Sequence, residues 1–222
     1  MPTVRADLAE VHQRAWAELG RPGPFWAGAQ RTELMATALD AWAASDPLAP
    51  WVAPSKAGRV PPDALAPAAA HDAVYRIARH AGTVTRSWYD EMVAALGELP
   101  YVELVALTCT TVAIASFRRT AGLPALALPD VVAGPPTGVV APDLASAQLN
   151  WVPVAAPADA NASVVQAFTA LPTENARTWA MADAQYMPED EMIDPRWTRG
   201  TLTRPQIELV AMRVSQLRQC FF

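Results

Sequence analysis

Apolar and polar positions follow a helical period along most of the chain, and the pattern is cut at glycines and prolines. Residues 3 to 19 predict an amphipathic first helix, interrupted by Arg5, Asp7, Glu10, Arg14 and Glu18 and closed by Gly20 and Pro22. A second runs over 28 to 44 and stops at Ser45-Asp46-Pro47, since a proline drives the preceding residue out of the helical region. A connector holding Pro47, Pro50, Pro54, Pro61 and Pro62 leads to Pro67, a good first-turn residue for a third helix reaching about His80. Thr85 to Leu96 is a short fourth helix carrying Trp88 and Tyr89. Pro100 then opens a long apolar helix through Arg119, closed by Gly122 and Pro124.

Residues 123 to 160 break this rhythm with alanine, valine and seven prolines. They predict a polyproline-like connector, with short extended pieces at Val139-Val140 or Trp151 to Val154. Helices resume over 163 to 171 and 174 to 186, followed by the acidic turn Pro188-Glu189-Asp190-Glu191. A final helix starts near Thr203, with Thr203 and Gln206 at capping-box spacing and Pro205 in the first turn. Strands do not alternate with helices, so the expected class is all-α.

The chain also repeats itself. Windows 100 to 117 and 205 to 222 align without a gap and match at Pro100/Pro205, Glu103/Glu208, Leu104/Leu209, Val105/Val210, Ala106/Ala211 and Phe117/Phe222. Val102/Ile207, Leu107/Met212, Thr110/Ser215 and Val112/Leu217 are conservative pairs. The reading is a tandem-repeat helical bundle: a first half over 1–122, a Pro/Ala-rich connector over 123–160 and a second half over 161–222. Each repeat sets a glutamate in an apolar helix, where it needs a partner or must face water. For Glu103 the expectation is an acidic residue near the helix start, favoured by the helix dipole.

Composition narrows the function classes. Of 222 residues 52% are hydrophobic and 18% charged, which describes a folding chain. A net charge of -5 and a pI near 5.2 leave no footprint for nucleic acid or an anionic membrane. The N-terminal stretch is too charged for a signal peptide, and the apolar stretches fall short of the roughly 18 residues a spanning helix needs. A cytoplasmic protein without a membrane partner is expected. Two cysteines, Cys109 and Cys220, build no disulfide framework. His12, His71 and His80 lack ligand spacing, so neither a metal nor a cofactor is expected. Cys109 is expected as a small buried apolar residue.

Candidate chemistry lies at the end of the chain, where Glu208 and Cys220 form Glu-x11-Cys. This resembles the alkylhydroperoxidase D / carboxymuconolactone decarboxylase superfamily, whose motif is Glu-x11-Cys-x2-Cys-x3-His on helices of an all-α fold. The approach through Asp194-Pro195-Arg196-Trp197 and Leu202-Thr203 is similar to the peroxidase-related branch. So are Tyr75-Arg76-Ile77-Ala78 and Ser87-Trp88-Tyr89-Asp90 in the first half. By the family pattern the second cysteine would be residue 223, and the chain stops at Phe222, so the sequence is expected to be a fragment. In the first repeat the two cysteine positions hold Ala115 and Arg118, which makes that repeat a scaffold copy.

The resemblance implies a thiol-dependent peroxidase with an antioxidant role, working on organic or hydrogen peroxide with a thiol or dithiol reductant. A thiolate attacks the O–O bond, and a second thiol resolves the sulfenic acid before over-oxidation. It makes Cys220 the resolving thiol and Glu208 the proton-relay acid/base. It also implies a homo-oligomer assembled through apolar helices. Two alternatives stay open: a non-redox decarboxylase-like enzyme acting on a small lactone acid, and a non-catalytic helical scaffold. Twelve residues of straight helix rise about 18 Å, so Glu208 reaches a thiol site only if the helix ends early or the chain folds back.

Overall fold

The computed structural model describes residues 4–44, 48–159 and 161–217. The chain is mostly helical, in keeping with the all-α reading. Its helices are α1 (Ala6–Leu19), α2 (Gly28–Ala43), α3 (Ala68–His80), α4 (Arg86–Leu96), α5 (Glu98–Thr120), α6 (Ser163–Gln166), α7 (Pro172–Gln185) and α8 (Arg204–Leu217). Two antiparallel pairs accompany them. β1 (Leu144–Ser146) lies on β2 (Pro153–Ala155) with Leu144 opposite Ala155, and β3 (Thr198–Arg199) lies on β4 (Leu202–Thr203).

Helix boundaries follow the local chemistry. Thr85 caps α4 by accepting from the Trp88 N–H at 3.3 Å. Gly97, at φ +90°, ends α4 and starts α5 in a single residue, a conformation that a side chain would oppose. The long helix therefore begins at Glu98, and Pro100 lies inside its first turn, where no intrahelical N–H is needed. At α8 the Gln206 side chain accepts from the Thr203 N–H at 2.9 Å, the return arm of a capping box.

The core forms where α2, α3 and α5 pack together, flanked by α4, with α7 lying on both α1 and α5. Leu34, Met35, Ala38, Val74, Leu104, Leu107 and Ile114 are buried there. Burial of such side chains is worth about 1.5–3 kcal/mol each relative to exposure. Helix α5 corrects one sequence expectation. It is long and apolar enough to cross a membrane by length and composition, although no stretch was expected to reach that. Its apolar window is 56% buried inside the protein, where it forms the central helix of the core.

The proline-rich connector is anchored along its length. Val132, Thr137 and Gly138 donate their N–H groups to the carbonyls of Gly20, Gly23 and Pro24 at 2.9, 2.8 and 3.0 Å, and the Trp16 indole donates to Ala127 at 2.8 Å. Prolines remove donors from the strap, and three of its N–H groups bond to the loop between α1 and α2. The extended piece expected near Trp151 to Val154 appears as β2 over Pro153–Ala155, whereas Val139-Val140 makes no ladder. The helix expected over 163 to 171 shortens to α6. Gln166 turns inward there and accepts from the Asp159 N–H at 2.9 Å.

Candidate functional site

The most concentrated buried charge lies between α2, α5 and α7. Arg31 from α2 enters an apolar stripe formed by Leu34, Met35 and Ala38, and it ion-pairs with Glu103 from α5. Arg31 also meets Glu174 Oε1 of α7 at 3.1 Å and donates through Nε to the Leu19 carbonyl at 3.3 Å. Phe25 donates its N–H to Glu103 Oε2 at 2.6 Å, and Arg177 closes the set on Glu174. All four side chains are buried, two of each sign, so the group is balanced in charge.

Local sequence explains this geometry. Glu174 and Arg177 stand three apart on α7 and share a face. Gly23 passes so close that a Cβ would strike both the Arg31 guanidinium and the Glu103 carboxylate. Burial raises the pKa of Glu103 against the opposing pull of Arg31. Burial lowers Arg31, and it brings Arg177 down to about 9 with help from the like charge of Arg31. Arg177 connects this cluster to the surface: with Arg14, Glu18 and Thr173 it lines a cavity of about 530 Å³ between α1 and α7.

These positions correct the expectation for Glu103. Helix α5 starts at Glu98, so Glu103 sits beyond the first turn, and its partner is a buried guanidinium and not the helix dipole. Sequence reasoning missed Arg31, Glu174 and Arg177. The available signal was an arginine on the apolar stripe of α2, at helical spacing from Leu34, Met35 and Ala38.

The second glutamate has a different setting. Tyr186, just past α7, hydrogen-bonds through its hydroxyl to both carboxylate oxygens of Glu208 at 3.0 Å, and Arg204 Nε donates to Oε1 at 2.6 Å. Arg204 also ties the preceding turn through the carbonyls of Met192, Asp194 and Glu191 at 2.9, 3.2 and 3.3 Å. Burial, then the Glu208 carboxylate, raises the Tyr186 pKa, so the phenol remains a proton donor at neutral pH. The Glu208 side chain is 43% exposed. Helix α8 runs unbroken to Leu217, so an end before that residue is excluded. Cys220 lies outside the described residues.

Cys109 departs from the buried position expected of it. It is exposed on the wall of two neighbouring cavities, one facing α3 and one facing α7. The thiol is nevertheless crowded by protein, and this desolvation pushes it up to about 11, which keeps it a thiol at neutral pH. His12 contacts Gln185 at 3.1 Å and His71 contacts Thr37 at 2.8 Å. Among the described residues no three His, Cys, Asp or Glu side chains gather in a way that could hold a metal ion.

What can be placed from the residues upward is thus a buried, charge-balanced cluster in the core and a half-exposed Tyr–Glu–Arg triplet at the base of α8. No protein-family model, no curated protein and no solved structure matches this chain.

Proposed function

We propose that the chain is a thiol-dependent, peroxidase-like oxidoreductase of the alkylhydroperoxidase D type, with two helical repeats. The observation that carries this reading is Glu-x11-Cys itself, with Glu208 held on both oxygens by the Tyr186 hydroxyl and on one by Arg204. A carboxylate fixed this way, next to a neutral phenol, can take and return a proton. In the proposed cycle the second thiol of the family motif, as a thiolate, attacks the peroxide O–O bond, gaining one oxygen as sulfenic acid and releasing an alkoxide, which is protonated. The Cys220 thiol then attacks that sulfur, forming a disulfide and releasing water. A dithiol reductant restores both thiols.

Peroxide consumption with dithiothreitol tests this. Cys220→Ser and Glu208→Gln should each lower the rate by about tenfold or more, the scale of losing a general acid/base. Rates equal to the parent in both variants would sink the assignment. The cytoplasmic setting belongs to the same reading, because the exposed Cys109 stays reduced there. A homo-oligomer does too. Its support is the row Leu209, Val210, Met212, Val214 and Leu217, apolar and exposed on α8.

A second reading, a non-redox enzyme for a small carboxylate, is favoured by one observation. The cavity between α1 and α7 has both Arg14 and Arg177 on its wall against the single acid Glu18, and Arg177 ties it to Glu174 of the buried cluster. Activity independent of Cys220 but lost in Arg14→Gln would select it.

A further inference from the structure

A separate cavity of about 620 Å³ opens at the C-terminal end of α5, beneath the start of the proline-rich strap. Its volume lies within the roughly 300–1,000 Å³ of small-molecule sites. Its wall is apolar, built from Trp16, Leu39, Trp42, Ile114, Leu123 and Leu126. The polar edge of Trp16 is used elsewhere, since its indole N–H donates to the Ala127 carbonyl. Among the described residues charge enters only through Arg118 and Arg119, and no acidic side chain lines the cavity.

Arginines in a last helical turn are often explained by the dipole and by open carbonyls. Here those carbonyls are satisfied by backbone. Ala121, Leu123 and Gly122 donate to Phe117, Arg118 and Arg119 at 2.9, 2.8 and 3.2 Å. Arg118 Nε donates to the Pro124 carbonyl at 2.7 Å, which fixes the guanidinium plane, and among the described residues its terminal nitrogens make no hydrogen bond. Arg119 stacks over Trp42, 5.4 Å from the ring centre. Neither guanidinium meets a carboxylate among the described residues. Burial lowers the His12 pKa, the Gln185 contact opposes this, and the positive charge of Arg118 adds to the lowering.

We propose that this cavity binds an amphiphilic carboxylate, with its apolar chain or ring against Trp16, Trp42 and Ile114 and its carboxylate on the Arg118–Arg119 pair. Two guanidiniums at the mouth of an apolar pocket match a planar anion that accepts paired N–H donors. The apolar wall excludes small hydrophilic anions, because burying their charge there gains no apolar contact. The strap residues Leu123 and Leu126 supply part of the wall, so the connector does more than join its neighbours.

Isothermal titration calorimetry with octanoate, octan-1-ol and octylammonium tests the site. Octanoate should bind saturably with a Kd below about 1 mM, and the alcohol and the amine about tenfold or more weaker. In Arg118→Gln/Arg119→Gln, octanoate should weaken about tenfold and the alcohol should not change. Should the double variant fold poorly, Arg119→Gln alone, at an exposed position, should still reduce octanoate binding and its sensitivity to salt. Equal affinity for octanoate and octanol, octanoate binding unmoved by the arginine substitutions, or no saturable binding of octanoate would each overturn the proposal.

Discussion

Helices α5 and α8 carry nearly the same opening, Pro-x-x-Glu-Leu-Val-Ala, and the fold uses them in opposite ways. In α5 Leu104 and Leu107 are fully buried, whereas their counterparts in α8, Leu209 and Met212, are 61% and 63% exposed. Glu103 is sealed against Arg31, while Glu208 stands at the surface between Tyr186 and Arg204. Helical pattern alone therefore does not decide where a helix goes. What decides is which neighbours the rest of the chain brings: α1, α2, α3, α4 and α7 around α5, and, among the described residues, chiefly the β3–β4 hairpin, Tyr186 and the turn at 191–194 around α8.

The sharpest way to break this comparison is to remove one arginine from each glutamate. Arg31→Met leaves Glu103 and Glu174 buried with only Arg177 to balance them, and it should cost about 3–5 kcal/mol. Arg204→Met loses a part-buried ion pair and its carbonyl contacts, with Glu208 still open to water, and it should cost no more than about 2 kcal/mol. Urea unfolding midpoints at neutral pH measure both. Equal losses would mean that the two glutamates are equivalent after all.

The paired apolar positions give the next contrast. Leu107→Ala should cost about 2–5 kcal/mol wherever it is measured, because the core cannot collapse into the gap. Met212→Ala should cost less than about 1 kcal/mol in dilute protein, since the side chain already meets solvent. If a second copy covers α8, as the oligomer proposal holds, Met212→Glu shifts sedimentation toward the monomer while leaving the unfolding midpoint of the isolated chain in place. An unchanged sedimentation profile removes α8 from the interface.

How much of this was legible in the sequence differs from region to region. Helices α1 to α5 could be placed because Gly20, Pro67, Thr85 and Gly122 punctuate them, and these residues act locally. Local chemistry also signalled α8 through Thr203 and Gln206. The ion cluster was not legible as a unit, because Arg31, Glu103 and Glu174 are far apart in sequence and meet only through tertiary packing. A lone arginine on the α2 stripe was the trace it left. The anchoring of the strap was hidden as well, since Val132 and Thr137 bond to backbone carbonyls, which carry no side-chain signature. For Glu208 the sequence predicted the residue and its helix, but Tyr186 and Arg204 as its partners required the turn between α7 and α8.

The smallest expected effect is the most specific to Glu103. Its pKa is raised in the fold, chiefly by burial, so the native state holds that proton to a higher pH than the unfolded chain does. Between the ordinary glutamate value of 4.5 and the raised native value, the native state binds more protons, and stability attributable to this group falls as pH rises. Glu103→Gln mimics the protonated form. It should flatten that part of the stability–pH curve and lie closest to the parent near pH 4.5. Urea midpoints collected from about pH 4.5 to 8 separate these outcomes, and a parent curve that rises steadily with pH, unaltered by Glu103→Gln, would show that Arg31 outweighs burial at that carboxylate.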